Sequence, residues 1–286
     1  MPLHGMQWGR YVIDSLVAVG GSSDVYRARA LDGDGWVAVK TLSQSASLQA
    51  ELVARFQNEA EALLSLRHPY LVEALEMGTP TEDGPPFLVL EWLPVSLHEL
   101  LARRGGRLSL EEGVQVLRQL AQVLYFLHEK GVIHRDLKPE NVLMACSGPA
   151  ALEVRLTDLG LARLVPGEGA RAPSLYVSTA RDALLGTGEY MAPEQWTSPK
   201  GVDAKVDVYA LGVLGFRLLV GAPPFSASER SGLFFLHALK PPPLALLEGL
   251  APEPLRVLLG AMLAKKPGQR PEMVDVARTL DSLARD

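Results

Sequence analysis

The densest run of chemistry-bearing side chains is His134-Arg135-Asp136-Leu137-Lys138-Pro139-Glu140-Asn141, followed directly by Val142-Leu143. A second acidic turn, Asp158-Leu159-Gly160, comes after Leu156-Thr157. Asp136, Lys138 and Asn141 place a carboxylate, an ammonium and an amide within six positions. A carboxylate can take a proton, an ammonium can neutralise an anion, and carboxylate and amide oxygens are hard donors for a divalent cation. Taken alone, the same residues read first as a solvated turn. Which reading holds depends on the elements that carry them.

Upstream of that run, Val25-Tyr26-Arg27-Ala28-Arg29 and Val37-Ala38-Val39-Lys40-Thr41-Leu42 read as strands joined through Asp32-Gly33-Asp34-Gly35. Asp-Gly pairs favour the left-handed turns of hairpins, so the two strands are expected to pair antiparallel. Strand alternation then puts Ala38 and Lys40 on one face. Leu52, Phe56, Leu63 and Leu66 recur at near-helical spacing until His68-Pro69 stops the helix, and Glu59 falls on their apolar stripe. Phe87-Leu88-Val89-Leu90 is a further strand, ending at Glu91-Trp92-Leu93-Pro94.

Beyond Pro94 the texture becomes helical. Ser109-Leu110-Glu111-Glu112 is a capping box, and Leu117, Leu120, Leu124 and Leu127 line the core side of the helix it starts. Val208 to Val220 is apolar nearly all round, which predicts a buried central helix ended by Gly221 and Pro223-Pro224. Met273, Val276, Leu280 and Leu283 make the last stretch amphipathic. The expected division is a strand-rich part over 11–93 and a mainly helical part over 94–286. Gly33-Asp34-Gly35-Trp36-Val37-Ala38 fits a loose dinucleotide fingerprint, but it precedes a strand where that fingerprint must precede a helix.

Composition narrows the class. The chain has 286 residues, 48% hydrophobic and 21% charged, which suits an ordinary globule with ample core. Its 28 Lys+Arg against 33 Asp+Glu give a net charge of −5, which argues against nucleic acid or anionic lipid as the main partner. The single cysteine, Cys146, cannot form an internal bridge and suits a reducing compartment. Met1 to Arg10 lacks a basic cap followed by an apolar run, so a cytoplasmic location is expected. The most hydrophobic window, Val206 to Ala222, is interrupted by Asp207 and Arg217, so no membrane span is expected.

Five further signatures accompany the His134–Asn141 run in a fixed order: Val37-Ala38-Val39-Lys40, Glu59, Gly186-Thr187 with Ala192-Pro193-Glu194, Asp207, and Arg270 within Lys266-Pro267-Gly268-Gln269-Arg270-Pro271. In that order the chain resembles the Ser/Thr protein kinases, and within them the eukaryotic-like bacterial (Hanks-type) branch, from about Tyr11 to Leu283. The resemblance implies an α+β, bilobal kinase fold: a small antiparallel-sheet lobe with one helix, a hinge near Glu91 to Leu93, and a larger mainly helical lobe.

It also implies roles. Lys40 would orient the α/β-phosphates of ATP, and Glu59, costly to bury unpaired, would take Lys40 as its cation. Asp136 would accept the proton of a protein Ser/Thr hydroxyl, Lys138 would neutralise the transferring phosphoryl, and Asn141 and Asp158 would hold Mg2+. Val17, Val25, Ala38 and Leu143 would line the adenine slot, with Leu90 as gatekeeper. Backbone groups of Glu91 and Leu93 would read the adenine edge, left unpaired by an extended hinge. His134 is expected to hold the loop by hydrogen bonding. Thr187 would support Asp136 and Lys138, Glu194 and Arg270 would form a buried ion pair, and Asp207 would anchor the catalytic-loop backbone.

The chain departs from the family at the phosphate-covering loop, where Ala18, Gly20 and Ser23 stand at the three glycine positions. Only Gly20 remains, which predicts a stiffer lid and weaker ATP binding. Leu159 replaces the usual aromatic before Gly160. Ser174, Tyr176, Ser178 and Thr179 are potential phosphorylation sites in the segment after Asp158, with Arg135 placed to pair with a phosphate there. The expected partners are protein substrates, with a homodimer allowing autophosphorylation in trans. Two rival readings are a regulatory pseudokinase with weak nucleotide binding and a small-molecule phosphotransferase.

Overall fold

Alternation along the first strands buries one face of a sheet under aromatic and branched side chains. The computed structural model describes residues 4–33, 35–80, 84–145, 152–159, 163–164, 188–197 and 201–285. The chain divides into two compact units, Met1–Pro94 and Val95–Asp286. In the first, β1 (Gln7–Trp8), β2 (Tyr11–Val19), β3 (Ser23–Ala30), β4 (Trp36–Leu42), β5 (Ala74–Gly78) and β6 (Phe87–Glu91) form one sheet of order β1-β2-β3-β4-β6-β5. Every pairing in it is antiparallel. Trp8, Tyr11, Ile13, Ala28, Val37, Val39, Phe87 and Val89 make the core on one face.

The two strands expected from the Asp-Gly hairpin are β3 and β4, with Val25 opposite Lys40 and Ala28 opposite Val37. Among its described residues the unit also has two helices, the short α1 (Gln44–Ser47) and α2 (Ala50–Ser65). Helix α2 buries Phe56, Ala60 and Leu63. Leu66 is buried too, but in extended backbone at the helix C-cap rather than on a further turn, because the chain must already turn away before His68-Pro69.

In the second unit α3 (Leu97–Arg103) and α4 (Leu110–Glu129) each start on a reciprocal capping box, Ser96/Glu99 and Ser109/Glu112. After α4 come two short strand pairs. β7 (Val132–Ile133) pairs with β10 (Arg163–Leu164), and β8 (Val142–Met144) with β9 (Val154–Leu156). Among the described residues the further α-helices given bounds are α5 (Pro193–Thr197), α6 (Lys205–Val220), α7 (Arg230–Leu239), α8 (Glu253–Met262) and α9 (Met273–Leu283).

Helix α6 is the expected central helix, buried from Val206 to Phe216 and ended by Gly221 at φ 94°. It can sit at the centre because its glycines admit neighbours: a Cβ on Gly215 would lie 2.7 Å from Leu259 Cδ2, closer than real side chains approach. Among the described residues no helix is long and apolar enough to cross a membrane. The α+β architecture, an antiparallel-sheet unit followed by a mainly helical one, is as the sequence led one to expect.

One buried polar pair pins α7 to α6. The Tyr209 hydroxyl lies 2.9 Å from His237 Nδ1, with both residues fully buried. Burial first, and the Lys265 ammonium second, push His237 down to about 3, so it is neutral in the fold. Its stabilising contribution is therefore complete above its unfolded value near 6.5 and is lost as pH falls from there toward 3. Unfolding free energies measured across this window should drop by about 1.4 kcal/mol per pH unit more in the native chain than in His237→Leu. Equal slopes would contradict the assignment.

Candidate active site

Within the first unit the ladder assembles the expected nucleotide-facing residues by register. Ala18 pairs with Val25, Val25 with Lys40, and Ala38 with Leu90. Alternation therefore places Val25, Ala38, Lys40 and Leu90 on the sheet face opposite the aromatic core. Lys40 is 7% exposed, and its Nζ donates to Glu59 Oε1 at 2.9 Å. The carboxylate that α2 carries on its apolar stripe thus meets its cation, as burial of an ion requires. Val17 falls between Leu16 and Ala18, where the β2–β3 register shifts, so the ladder does not set its face.

Gly20 makes the tight turn of the β2–β3 hairpin: its N–H donates to Ser23 O at 2.8 Å, and a Cβ there would stand 2.7 Å from that oxygen. Ala18 and Ser23 are both strand residues, and neither has positive φ. The loss of two glycines therefore leaves no backbone strain in the hairpin.

One expectation about the hinge is corrected. The Glu91 N–H is not left unpaired: it donates to Glu73 O at 3.0 Å, and Glu91 Oε1 accepts the Glu73 N–H at 2.9 Å. The cause is that β6 runs on to Glu91, opposite Val37, one residue beyond the apolar run. Leu93 lies past the strand end, and among the described residues its backbone has no backbone partner.

Within the second unit the catalytic-loop residues converge. Asp136 Oδ2 accepts from Lys138 Nζ at 2.8 Å and from Asn141 Nδ2 at 3.0 Å, and Asn141 Nδ2 also donates to the Asp136 carbonyl at 2.7 Å. Among the described residues nothing donates to Asp136 Oδ1. The loop returns through Pro139–Asn141 into β8, and the Thr157 N–H donates to Asn141 O at 3.0 Å. With Val142 opposite Leu156, Asn141 and Asp158 therefore leave the same end of one strand pair. Leu143 lies in the middle of β8, opposite Arg155.

These two residues fit a divalent cation. The amide nitrogen of Asn141 is held on Asp136, which commits its carbonyl oxygen to other partners, and Asp158 brings a carboxylate on left-handed backbone, φ 67°. Both are hard oxygen donors, as magnesium requires.

The loop backbone is held from α6. Asp207, fully buried, accepts from His134 N at 2.9 Å and His128 Nε2 at 2.8 Å on Oδ2, and from Arg135 N at 2.8 Å on Oδ1. Burial alone would push its carboxyl up. The His128 hydrogen bond, the His128 and His134 rings and the Arg135 amide outweigh it and hold Asp207 below the usual carboxylate range. Arg135 sits at φ 67°, a conformation an L-residue keeps only when its surroundings fix it. His134 accepts the Asp136 N–H on Nδ1 at 3.3 Å, so Nε2 carries the proton and donates to Thr157 O at 2.9 Å. It is a strut, as expected.

Glu194 and Arg270 form the anticipated ion pair, bidentate at 2.6 and 2.9 Å. The remaining Arg270 donors go to the carbonyls of Ala264, Lys205 and Lys265, so all five N–H groups are used. Sequence reasoning missed Gln195, which accepts the Ala192 N–H and donates to Arg135 O at 3.1 Å, and His128, the side-chain partner of Asp207. Neither carries a local signal, since each is one polar residue on an otherwise ordinary helix. Asp34, Cys146, Gly160, Ser174, Tyr176, Ser178, Thr179, Gly186 and Thr187 lie outside the described residues.

Comparison with known proteins gives a consistent result. The family model described as protein kinase domain matches residues 11–279. The chain is 33% identical over 266 residues to serine/threonine-protein kinase PknB of Mycobacterium tuberculosis, covering 91% of this chain and 40% of that protein. It is 34% identical over 269 residues to serine/threonine-protein kinase pkn3 of Myxococcus xanthus, covering 92% and 47% respectively. With serine/threonine-protein kinase Pkn1 of the same organism the identity is 34% over 272 residues, covering 94% and 37%. The chain thus spans less than half the length of these curated relatives.

Proposed function

The chain belongs to the protein kinase domain family, and from that premise we propose that it transfers the γ-phosphoryl group of Mg·ATP to Ser/Thr hydroxyls of protein substrates. The observation that carries the reading is Asp136, whose Oδ2 is held by Lys138 and Asn141 on a backbone clamped by Asp207. A carboxylate fixed on one oxygen offers the other to a substrate hydroxyl.

In the reaction the substrate oxygen bonds to the γ-phosphorus, the bond from that phosphorus to the β-bridging oxygen breaks, and the hydroxyl proton passes to Asp136. Lys138, on the same carboxylate, orients it and lends positive charge to the transferring group. Lys40, oriented by Glu59, holds the α/β-phosphates, and Val25, Ala38 and Leu90 present an apolar sheet face to adenine, with Leu93 offering backbone groups. Asn141 and Asp158 would hold Mg2+, which neutralises phosphate charge when bound. Autophosphorylation in the segment between Asp158 and Glu194, in trans through a homodimer, and a cytoplasmic working place complete the reading.

Incubation with Mg2+, labelled ATP and a generic protein substrate should give label on Ser and Thr, with none when Mg2+ is chelated. Incorporation into an aminoglycoside or choline but not into protein would favour the small-molecule reading, against which stands the Glu194–Arg270 pair that resembles the family's peptide platform. Nucleotide affinity with and without Mg2+ separates the active enzyme from a pseudokinase. Affinity that Mg2+ leaves unchanged, with no transfer, would overturn the proposal.

A further inference from the structure

The sheet face that carries Ala38 and Lys40 continues along β3 and β4 into a cationic and aromatic surface. Arg29 stands directly opposite Trp36, and Arg27 opposite Ala38. The guanidinium carbons of Arg27 and Arg29 each lie 4.3 Å from the Trp36 ring centroid, and that of Arg27 is 6.0 Å from Trp92. Two like charges thus share one indole.

Only one of them is balanced. Asp14 Oδ2 accepts from Arg27 Nη2 at 2.6 Å and Nε at 2.9 Å, which leaves Nη1. Arg29 is exposed, and among the described residues no carboxylate pairs with it; Asp32 is committed to Arg10 at 2.7 Å. In a chain of net charge −5 this face therefore holds a local positive surplus. Stacking has already fixed the Arg29 fork, so less side-chain freedom remains to be lost when a carboxylate binds.

We propose that the Arg27–Trp36–Arg29 face docks an acidic segment of a partner protein, with Arg29 as its anchor. Arg27 and Arg29 alternate along one strand, about 6.6 Å apart at the rise of a β-strand. An extended peptide with carboxylates on alternate residues has the same repeat, and its intervening side chains can lie on Trp36. A nucleic acid is disfavoured because one surplus cation neutralises about one phosphate, too few against the charge of the whole chain.

The test uses fluorescence anisotropy of a labelled peptide of alternating Glu and Thr, with a Gln-for-Glu peptide as control. The Glu peptide should bind, the Gln peptide should bind at least about threefold more weakly, and Arg29→Gln should weaken the Glu peptide by about threefold to fivefold. Arg29→Gln should keep its thermal midpoint and its Mg·ATP affinity. Three results would overturn the proposal: unchanged affinity in Arg29→Gln, displacement of the peptide by Mg·ATP, or tighter Arg29-dependent binding of oligo-dT or of phosphatidylserine vesicles.

Discussion

Replacing Asp136 by asparagine is expected to lower phosphoryl transfer by about 10²–10⁴-fold while leaving the thermal midpoint and Mg·ATP affinity close to those of the native chain. The structural part of this expectation is that the amide oxygen of the new side chain can stand where Oδ2 now accepts from Lys138 and Asn141. The loop then keeps its shape. What changes is the other atom: in place of Oδ1, an acceptor, stands an NH2 group, which cannot take a proton from an incoming hydroxyl. The loss therefore falls on kcat rather than on nucleotide binding. A variant that keeps more than about a tenth of the native rate would show that Asp136 is not the base.

The second large effect concerns stability. Asp207→Ala should cost about 3–5 kcal/mol, because it removes a buried carboxylate and leaves its partners in the interior without it. Those partners are the amides of His134 and Arg135 and the ring of His128. Arg135 would also lose the contact that keeps it in left-handed backbone. Since Asp207 titrates below its unfolded value, its contribution is present in full above the ordinary carboxylate range and is lost as pH falls through that range and below. Asp207→Asn, which keeps one acceptor oxygen, should be intermediate and should lack this acid dependence. Denaturant unfolding at neutral pH reads both variants, and a cost under about 1 kcal/mol for Asp207→Ala would contradict the clamp.

Much of the site was legible because its residues sit in short runs whose types and order along the chain resemble those of the protein kinases. Lys40 follows Ala38 by two on a strand, Glu59 lies on the stripe of α2 and meets Lys40, and Asp136, Lys138 and Asn141 share one loop. The hinge was less legible. β6 continues one residue past its apolar run because Glu91 pairs with Val37 and Glu73, and an acidic residue at a strand end gives no sign of that. The pairing of the two-residue strands β7 and β10 was illegible, since so short a ladder has no period to detect.

The amino-acid sequence by itself determined the α+β class, the order of a strand-rich part before a helical one, and the identity of the groups able to do chemistry. These follow from side-chain type and from the periods of strand and helix, both local properties. The tertiary structure decided which polar groups hold the others. His128 meets Asp207 across 79 positions and Gln195 meets the Arg135 carbonyl across 60. Arg29 and Trp36 become one surface only when β3 and β4 register. Such partners are chosen by where the chain crosses itself in the interior, where an unpaired polar group is costly, and no spacing along the chain encodes that crossing.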